Sequence, residues 1–161
     1  MSPINRRDFL KTTTMGVGGL AMGLSAKSYG NIIGANDRLH VVFMGCGRRV
    51  GAFYSILDEQ YNTELSYICD VKASQRERVF NDLGGRLSYT PQGIEDIRVA
   101  LDDEEVDAIF IATPDHWHAP AAWMSMEAGK HVYVEKPLTH NPAEQEALIG
   151  YQNRYNRVLQ M

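Results

Sequence analysis

The chain has 161 residues, 44% of them hydrophobic, 22% charged and 9% aromatic, proportions that disfavour a disordered chain, a collagen-like fibre or a coiled coil. Residues 1–36 hold Arg6, Arg7, Lys11 and Lys27 against Asp8 alone, a net of +3, so the total of −4 leaves −7 on residues 37–161. So acidic a body makes a poor general binder of nucleic acid or of anionic membrane, and its length suffices for one domain but not for two.

Asn5-Arg6-Arg7-Asp8-Phe9-Leu10-Lys11 is followed by an uncharged run from Thr12 to Ala26, diluted by Gly16, Gly18, Gly19 and Gly23. That run is too short and too glycine-rich to span a membrane. Paired arginines before a weakly hydrophobic stretch resemble a twin-arginine (Tat) export signal, with Asn5 where the usual pattern has Ser or Thr. The resemblance implies a signal segment and linker over 1–36, cleaved after Ala26 or later. It also implies recognition by the Tat machinery and a periplasmic or secreted destination for a protein already folded around its cofactor.

From residue 39 the pattern alternates. Leu39 to Met44 is an apolar run ending at glycine, as a buried parallel strand does. Val50, Phe53, Tyr54 and Leu57 then place an amphipathic helix over Arg49–Gln60. A second strand is expected over Glu64–Cys69, a helix over Ala73–Leu83, and a short third strand near Leu87–Tyr89. Helix is expected again over Ile94–Leu101, before a solvated acidic turn at residues 102–105. Asp107–Ala112 reads as strand, Pro120–Glu127 as helix, His131–Val134 as strand, Pro142–Tyr155 as helix, and Val158–Met161 as a sixth strand. This repeated alternation with short links predicts an α/β fold, a doubly wound parallel (Rossmann) sheet with helices on both faces.

Chemistry gathers at the ends of these strands. Gly45-Cys46-Gly47-Arg48-Arg49-Val50-Gly51 links the first strand to the first helix. In such a loop one glycine permits a tight turn, a second lets the backbone approach a pyrophosphate, and the helix N-terminus attracts the anion. The third glycine falls one place late, with Val50 where a small residue is usual. Asp70, at the tip of the second strand, is placed to accept hydrogen bonds from adenosine ribose hydroxyls and to repel a 2′-phosphate. This favours NAD, while Arg48 and Arg49 leave NADP open. Two further loops, Ala112-Thr113-Pro114-Asp115-His116-Trp117-His118 and Glu135-Lys136-Pro137, follow later strands, where open α/β sheets bind ligands. His116 and His118, two apart with no third ligand nearby, read as loop histidines rather than as a metal site. Cys46 and Cys69 read as small buried thiols, too few for a disulfide framework.

A glycine loop, an acid ending strand two, Thr-Pro after strand four and Glu-Lys-Pro after strand five together resemble the glucose-fructose oxidoreductase / inositol dehydrogenase (Gfo/Idh/MocA) family. Asn36-Asp37-Arg38 and Asp115-His116-Trp117-His118 resemble its exported branch. The resemblance implies that Gly45, Cys46, Gly47, Arg48 and Arg49 hold the pyrophosphate and Asp70 the adenosine ribose. Thr113, Pro114 and His116 would line the channel beside the nicotinamide half, and Glu135 would contact the nicotinamide ribose region. Lys136 would be the catalytic acid/base or substrate-orienting group, beside a cis bond to Pro137. A partly desolvated lysine loses charge stability, and its pKa would move toward the range useful for taking a hydroxyl proton.

The implied activity is hydride transfer between NAD and a sugar or polyol hydroxyl. Two alternatives stand beside it, an NAD-dependent glycosidase that resembles this family and a dinucleotide-binding module without turnover. In the family a second α/β domain supplies the substrate pocket; it is absent from residues 37–161, so this chain alone is expected to bind nucleotide without turning over. A homo-oligomer is expected only of the full-length form.

Overall fold

A computed structural model describes residues 38–161; the twin-arginine segment and Asp37 lie outside the described residues. Six strands form one parallel sheet: β1 Leu39–Met44, β2 Thr63–Cys69, β3 Gln92–Ile94, β4 Ala108–Ile111, β5 His131–Val134 and β6 Leu159–Gln160. Their order across the sheet is β3-β2-β1-β4-β5-β6. The winding therefore reverses between β1 and β4, which opens a crevice at the carboxyl ends of those strands. The α-helices are α1 Ala73–Leu83, the four-residue α2 Arg98–Leu101, α3 His118–Glu127 and α4 Pro142–Tyr155.

Strand alternation divides the core between two faces. Val42, Ile109, Ile111, Val132 and Val134 meet Ala119, Ala122 and Met126 of α3 and Leu148 of α4. Val41 and Phe43 turn the other way, toward Val50, Phe53, Val79 and Leu83. Successive side chains on a strand point to opposite faces, yet Leu65 and Ile68 share this second cluster although they are three residues apart. The β1–β2 register supplies the reason: Val41 pairs with Leu65 and Val42 with Tyr67, so Ser66 is extra. Such a bulge resets the alternation, and the Ser66 hydroxyl sits 3.2 Å from His40 Nδ1.

Three sequence expectations shift. The expected helix over Arg49–Gln60 is instead a 3-10 helix, Val50–Leu57, followed by a second short one at Glu59–Tyr61. Three residues per turn align Val50, Phe53 and Ile56 on one stripe; Val50 and Phe53 are buried and Ile56 packs beside them. The third strand lies at Gln92–Ile94 rather than near Leu87–Tyr89, because Gly93 and Ile94 pair with Ile68 and Cys69 of β2. Helix then begins only at Arg98, since Ile94 is committed to the sheet. The acidic turn is also less idle than its composition implies. Asp103 accepts hydrogen bonds from the Glu105 amide (2.9 Å) and the Tyr67 hydroxyl (2.8 Å), which hold its carboxyl below the usual range.

Of the helices that flank the later loops, α3 starts at His118, two residues before the expected Pro120, and α4 starts at Pro142 as expected. Asn141 Oδ1 accepts the Glu144 amide at 3.0 Å while Glu144 Oε2 accepts the His140 amide at 2.8 Å, and Pro142 occupies the first turn. This is a reciprocal cap. Asn156, left-handed at φ 51°, closes α4. Among the described residues no helix is long and apolar enough to cross a membrane.

Candidate functional site

Gly45 leaves β1 at φ +87°, and a Cβ on it would stand 2.6 Å from the Thr113 nitrogen and 2.7 Å from the Ala112 carbonyl carbon. The glycine loop therefore rests directly on the backbone of the loop after β4, a contact no other residue type allows. Gly47 differs: a Cβ there would meet nothing within 4 Å, so the loop presents bare backbone to open space. Gly51, the displaced third glycine, is not tightly packed, with only Tyr54 Cε2 at 4.0 Å. The fully buried Val50, where a small residue is usual, instead joins the core through the 3-10 turn.

Asp70 and two arginines brace this loop. Asp70 Oδ2 accepts the Cys46 amide at 2.8 Å and Oδ1 accepts the Lys72 amide at 2.8 Å. Arg78, from the middle of α1, donates to the Cys46 carbonyl and, at 2.8 Å, to the Gly47 carbonyl. Arg76 donates to the Asp70 carbonyl. Cys46 gives its amide to Asp70 and buries its side chain completely. Burial, with Asp70 nearby, pushes its thiol up to about 12, and burial does the same for Cys69. Arg48 and Arg49 are exposed.

The loops after β4 and β5 are joined by His118, the first residue of α3, which is 1% exposed. Its Nδ1 lies 2.6 Å from the Pro137 carbonyl oxygen and its Nε2 3.0 Å from that of Thr113. Glu135 is buried; its Oε1 pairs with Arg49 at 2.8 Å and its Oε2 accepts the Lys136 amide at 3.2 Å. The Lys136–Pro137 bond is cis. Lys136 is exposed and lines an open cavity of about 380 Å³ with Pro137, Leu138, Thr139, Gln145 and Met161. The desolvation expected for this lysine is therefore not supplied by the described residues. Pro114 and His116 are exposed, and Thr113 is half-buried with an Oγ1 that has no hydrogen-bond partner. Among the described residues no group of three or more His, Cys, Asp or Glu side chains gathers as a metal site.

The structure thus brings Gly45, Gly47, Asp70, Thr113, Glu135 and Lys136 to one edge of the sheet, around the point where strand order reverses. Sequence reasoning missed the two residues that tie this edge together. Arg78 acts across more than thirty residues and leaves no local signal. His118 stood in a familiar motif, but only its burial at the start of α3 separates it from its exposed neighbour His116.

A parallel sheet with a glycine loop, an acid at the tip of β2 and a crevice at the reversal point defines a dinucleotide-binding domain. The residues fit such a ligand: bare backbone at Gly47 gives a phosphate room to approach, and the orphaned Thr113 hydroxyl offers an unused polar group. The chain belongs to the Gfo/Idh/MocA family, whose model, described as an oxidoreductase family with an NAD-binding Rossmann fold, matches residues 39–161.

Individual relatives agree on the domain. A glycosyl hydrolase family 109 protein from Shewanella sp. strain ANA-3 is 29% identical over 157 residues, covering 86% of this chain and 34% of the relative. An NAD-binding protein from Listeria innocua is 30% identical in its crystal structure, with a TM-score of 0.66 over 76% of this chain and 34% of that one. A 3-ketoreductase from Actinomadura kijaniata, solved with NADP and TDP-benzene, is 25% identical with a TM-score of 0.66, over 76% of this chain and 36% of that one. This chain spans about a third of the length of the curated relatives it matches.

Proposed function

We propose that this domain holds NAD in an exported oxidoreductase that moves hydride between the cofactor and a sugar or polyol hydroxyl. The observation that carries the reading is the placement of the glycine loop, Asp70 and Glu135-Lys136 around one crevice: Asp70 accepts the Cys46 amide of that loop at 2.8 Å and Arg49 pairs with Glu135 at 2.8 Å. Gly45 and Gly47 would cradle the pyrophosphate and Asp70 the adenosine ribose. Thr113 and Glu135 would bound the nicotinamide half, with Pro114 and His116 at the rim. NAD, when bound, supplies a two-electron hydride acceptor. For its part the chain offers Lys136 on the exposed loop after β5, whose Nζ, as the free amine, would take the hydroxyl proton of an alcohol. Asp70, a carboxylate where a 2′-phosphate would approach, favours NAD over NADP by charge repulsion.

Calorimetric titration with NAD and NADP, followed by NADH fluorescence across a panel of sugars and polyols, tests the reading. NAD binding without reduction of NAD is the result expected of this chain alone; failure to bind NAD would refute the cofactor role, and sustained NADH production would show that no second domain is required. Export rests on the Arg6-Arg7-x-Phe9-Leu10-Lys11 run. Replacing both arginines by lysine in a reporter fusion is expected to hold the reporter in the cytoplasm, and undiminished export would refute it.

The similarity to glycosyl hydrolase family 109 proteins favours a second reading, an NAD-dependent glycosidase. It separates cleanly: release of nitrophenol from nitrophenyl glycosides that requires NAD yet accumulates no NADH supports it over net oxidation.

A further inference from the structure

Arg49 and Glu135 do something that neither a phosphate ligand nor a ribose ligand does alone. Arg49 follows β1, Glu135 follows β5, and β4 lies between them in the sheet. Their 2.8 Å ion pair therefore crosses the reversal point, the crevice through which a dinucleotide must run. The partners are unequal: the Arg49 side chain is 62% exposed and that of Glu135 only 11%. Glu135 is fixed from below, its second oxygen on the Lys136 amide and its own amide on the Ile111 carbonyl at 2.9 Å. The arginine is the more exposed half.

We infer that Arg49 is a positioning residue that acts through Glu135: it neutralises a buried carboxylate at the wall of the groove, and so lets the nicotinamide-side phosphate of the dinucleotide pass. A carboxylate left unpaired there would repel a pyrophosphate through a medium that screens poorly. It would also lose the partner that fixes its orientation, and with it the backbone it holds at Lys136. The alternative, that Arg49 grips phosphate directly, has it leave Glu135 when ligand binds. The inference rests on the dinucleotide reading of the crevice and concerns only its nicotinamide side. The adenosine end, held by Asp70 and the glycine loop, lies on the β2 side of the reversal.

A double-mutant cycle on the full chain decides between them, with NAD and AMP as probes and equilibrium binding as readout. Arg49→Gln is expected to weaken NAD about tenfold and AMP less than twofold, because AMP does not reach the β5 side. In a Glu135→Gln background, where no charge needs neutralising, the same change is expected to cost NAD less than twofold. Arg49→Lys is expected to recover most of the loss. An equal NAD penalty in both backgrounds would overturn the inference and make Arg49 a phosphate ligand. Parallel losses of NAD and AMP would overturn it in favour of general loop disruption. Failure of the parent chain to bind NAD would instead refute the dinucleotide reading beneath it.

Discussion

The two leading glycines of the loop make opposite demands, and substituting each by alanine separates them. At Gly45 an alanine would hold φ at +87°, which costs a non-glycine residue about 1–2 kcal/mol. Its methyl would also stand 2.6–2.8 Å from the backbone of Ala112 and Thr113. That backbone belongs to a loop tied down by the Ala112 amide on Met44 (2.8 Å) and by His118, so it yields only by displacing β4. Overpacking of this kind costs about 1–3 kcal/mol. The sum is about 2–5 kcal/mol, a large part of the 5–15 kcal/mol usual for a domain.

With a urea slope of about 1.5 kcal/mol per molar, the unfolding midpoint of Gly45→Ala falls by more than about 1 M. Gly47→Ala is the control. Its methyl enters open space and its φ is unstrained, so stability stays within about 0.5 kcal/mol of the parent. NAD affinity nevertheless falls at least about fivefold, because the methyl stands where phosphate approaches the backbone. Urea denaturation by circular dichroism and calorimetry of NAD binding give the two readouts. Equal stability of Gly45→Ala and its parent would refute the packing argument, and undiminished NAD binding by Gly47→Ala would refute the cradle.

Asp70→Ala is expected to weaken NAD about tenfold while changing NADP less, since charged hydrogen bonds contribute about 1.5–3 kcal/mol; an unchanged NAD-to-NADP ratio in calorimetry would reduce Asp70 to an anchor for the Cys46 and Lys72 amides. His118→Ala is expected to cost about 2–4 kcal/mol in denaturation experiments, from the cavity and two stranded carbonyls, and a loss below about 0.5 kcal/mol would show that the β4 and β5 loops hold each other without it. Cys46 and Cys69, both raised from 9.0 to about 12, stay protonated in the fold where the unfolded chain ionises. Their contribution to stability is therefore complete below pH 9 and drains as pH rises toward 12, at about 1.4 kcal/mol per pH unit per thiol. Denaturation midpoints from pH 8 to 11 check this, and cysteine-to-serine variants should flatten the decline.

Much of the fold was legible because each strand carries its own pattern. The runs at Leu39–Met44 and His131–Val134, and the helix opening at Pro142, are local signals that neighbouring chain does not override. The same holds for the candidate site: glycine loop, Asp70, Thr-Pro and Glu-Lys-Pro all follow strands, and parallel strands bring their carboxyl ends to one edge. The expectation near Leu87–Tyr89 failed because a three-residue strand is chosen by its partner: Gly93 and Ile94 pair with β2, whatever their own propensity. At Val50–Leu57, spacings of three and of four were both available in the sequence, and packing against Phe43 and Phe110 selected three. The partnerships at the site belong wholly to tertiary structure. Arg78 under the glycine loop, His118 between two carbonyls and Arg49 across the crevice on Glu135 are contacts between chain segments far apart in number. Sequence could name the residue types that suit such contacts, but the sheet order that puts β4 between β1 and β5 decides which of them meet.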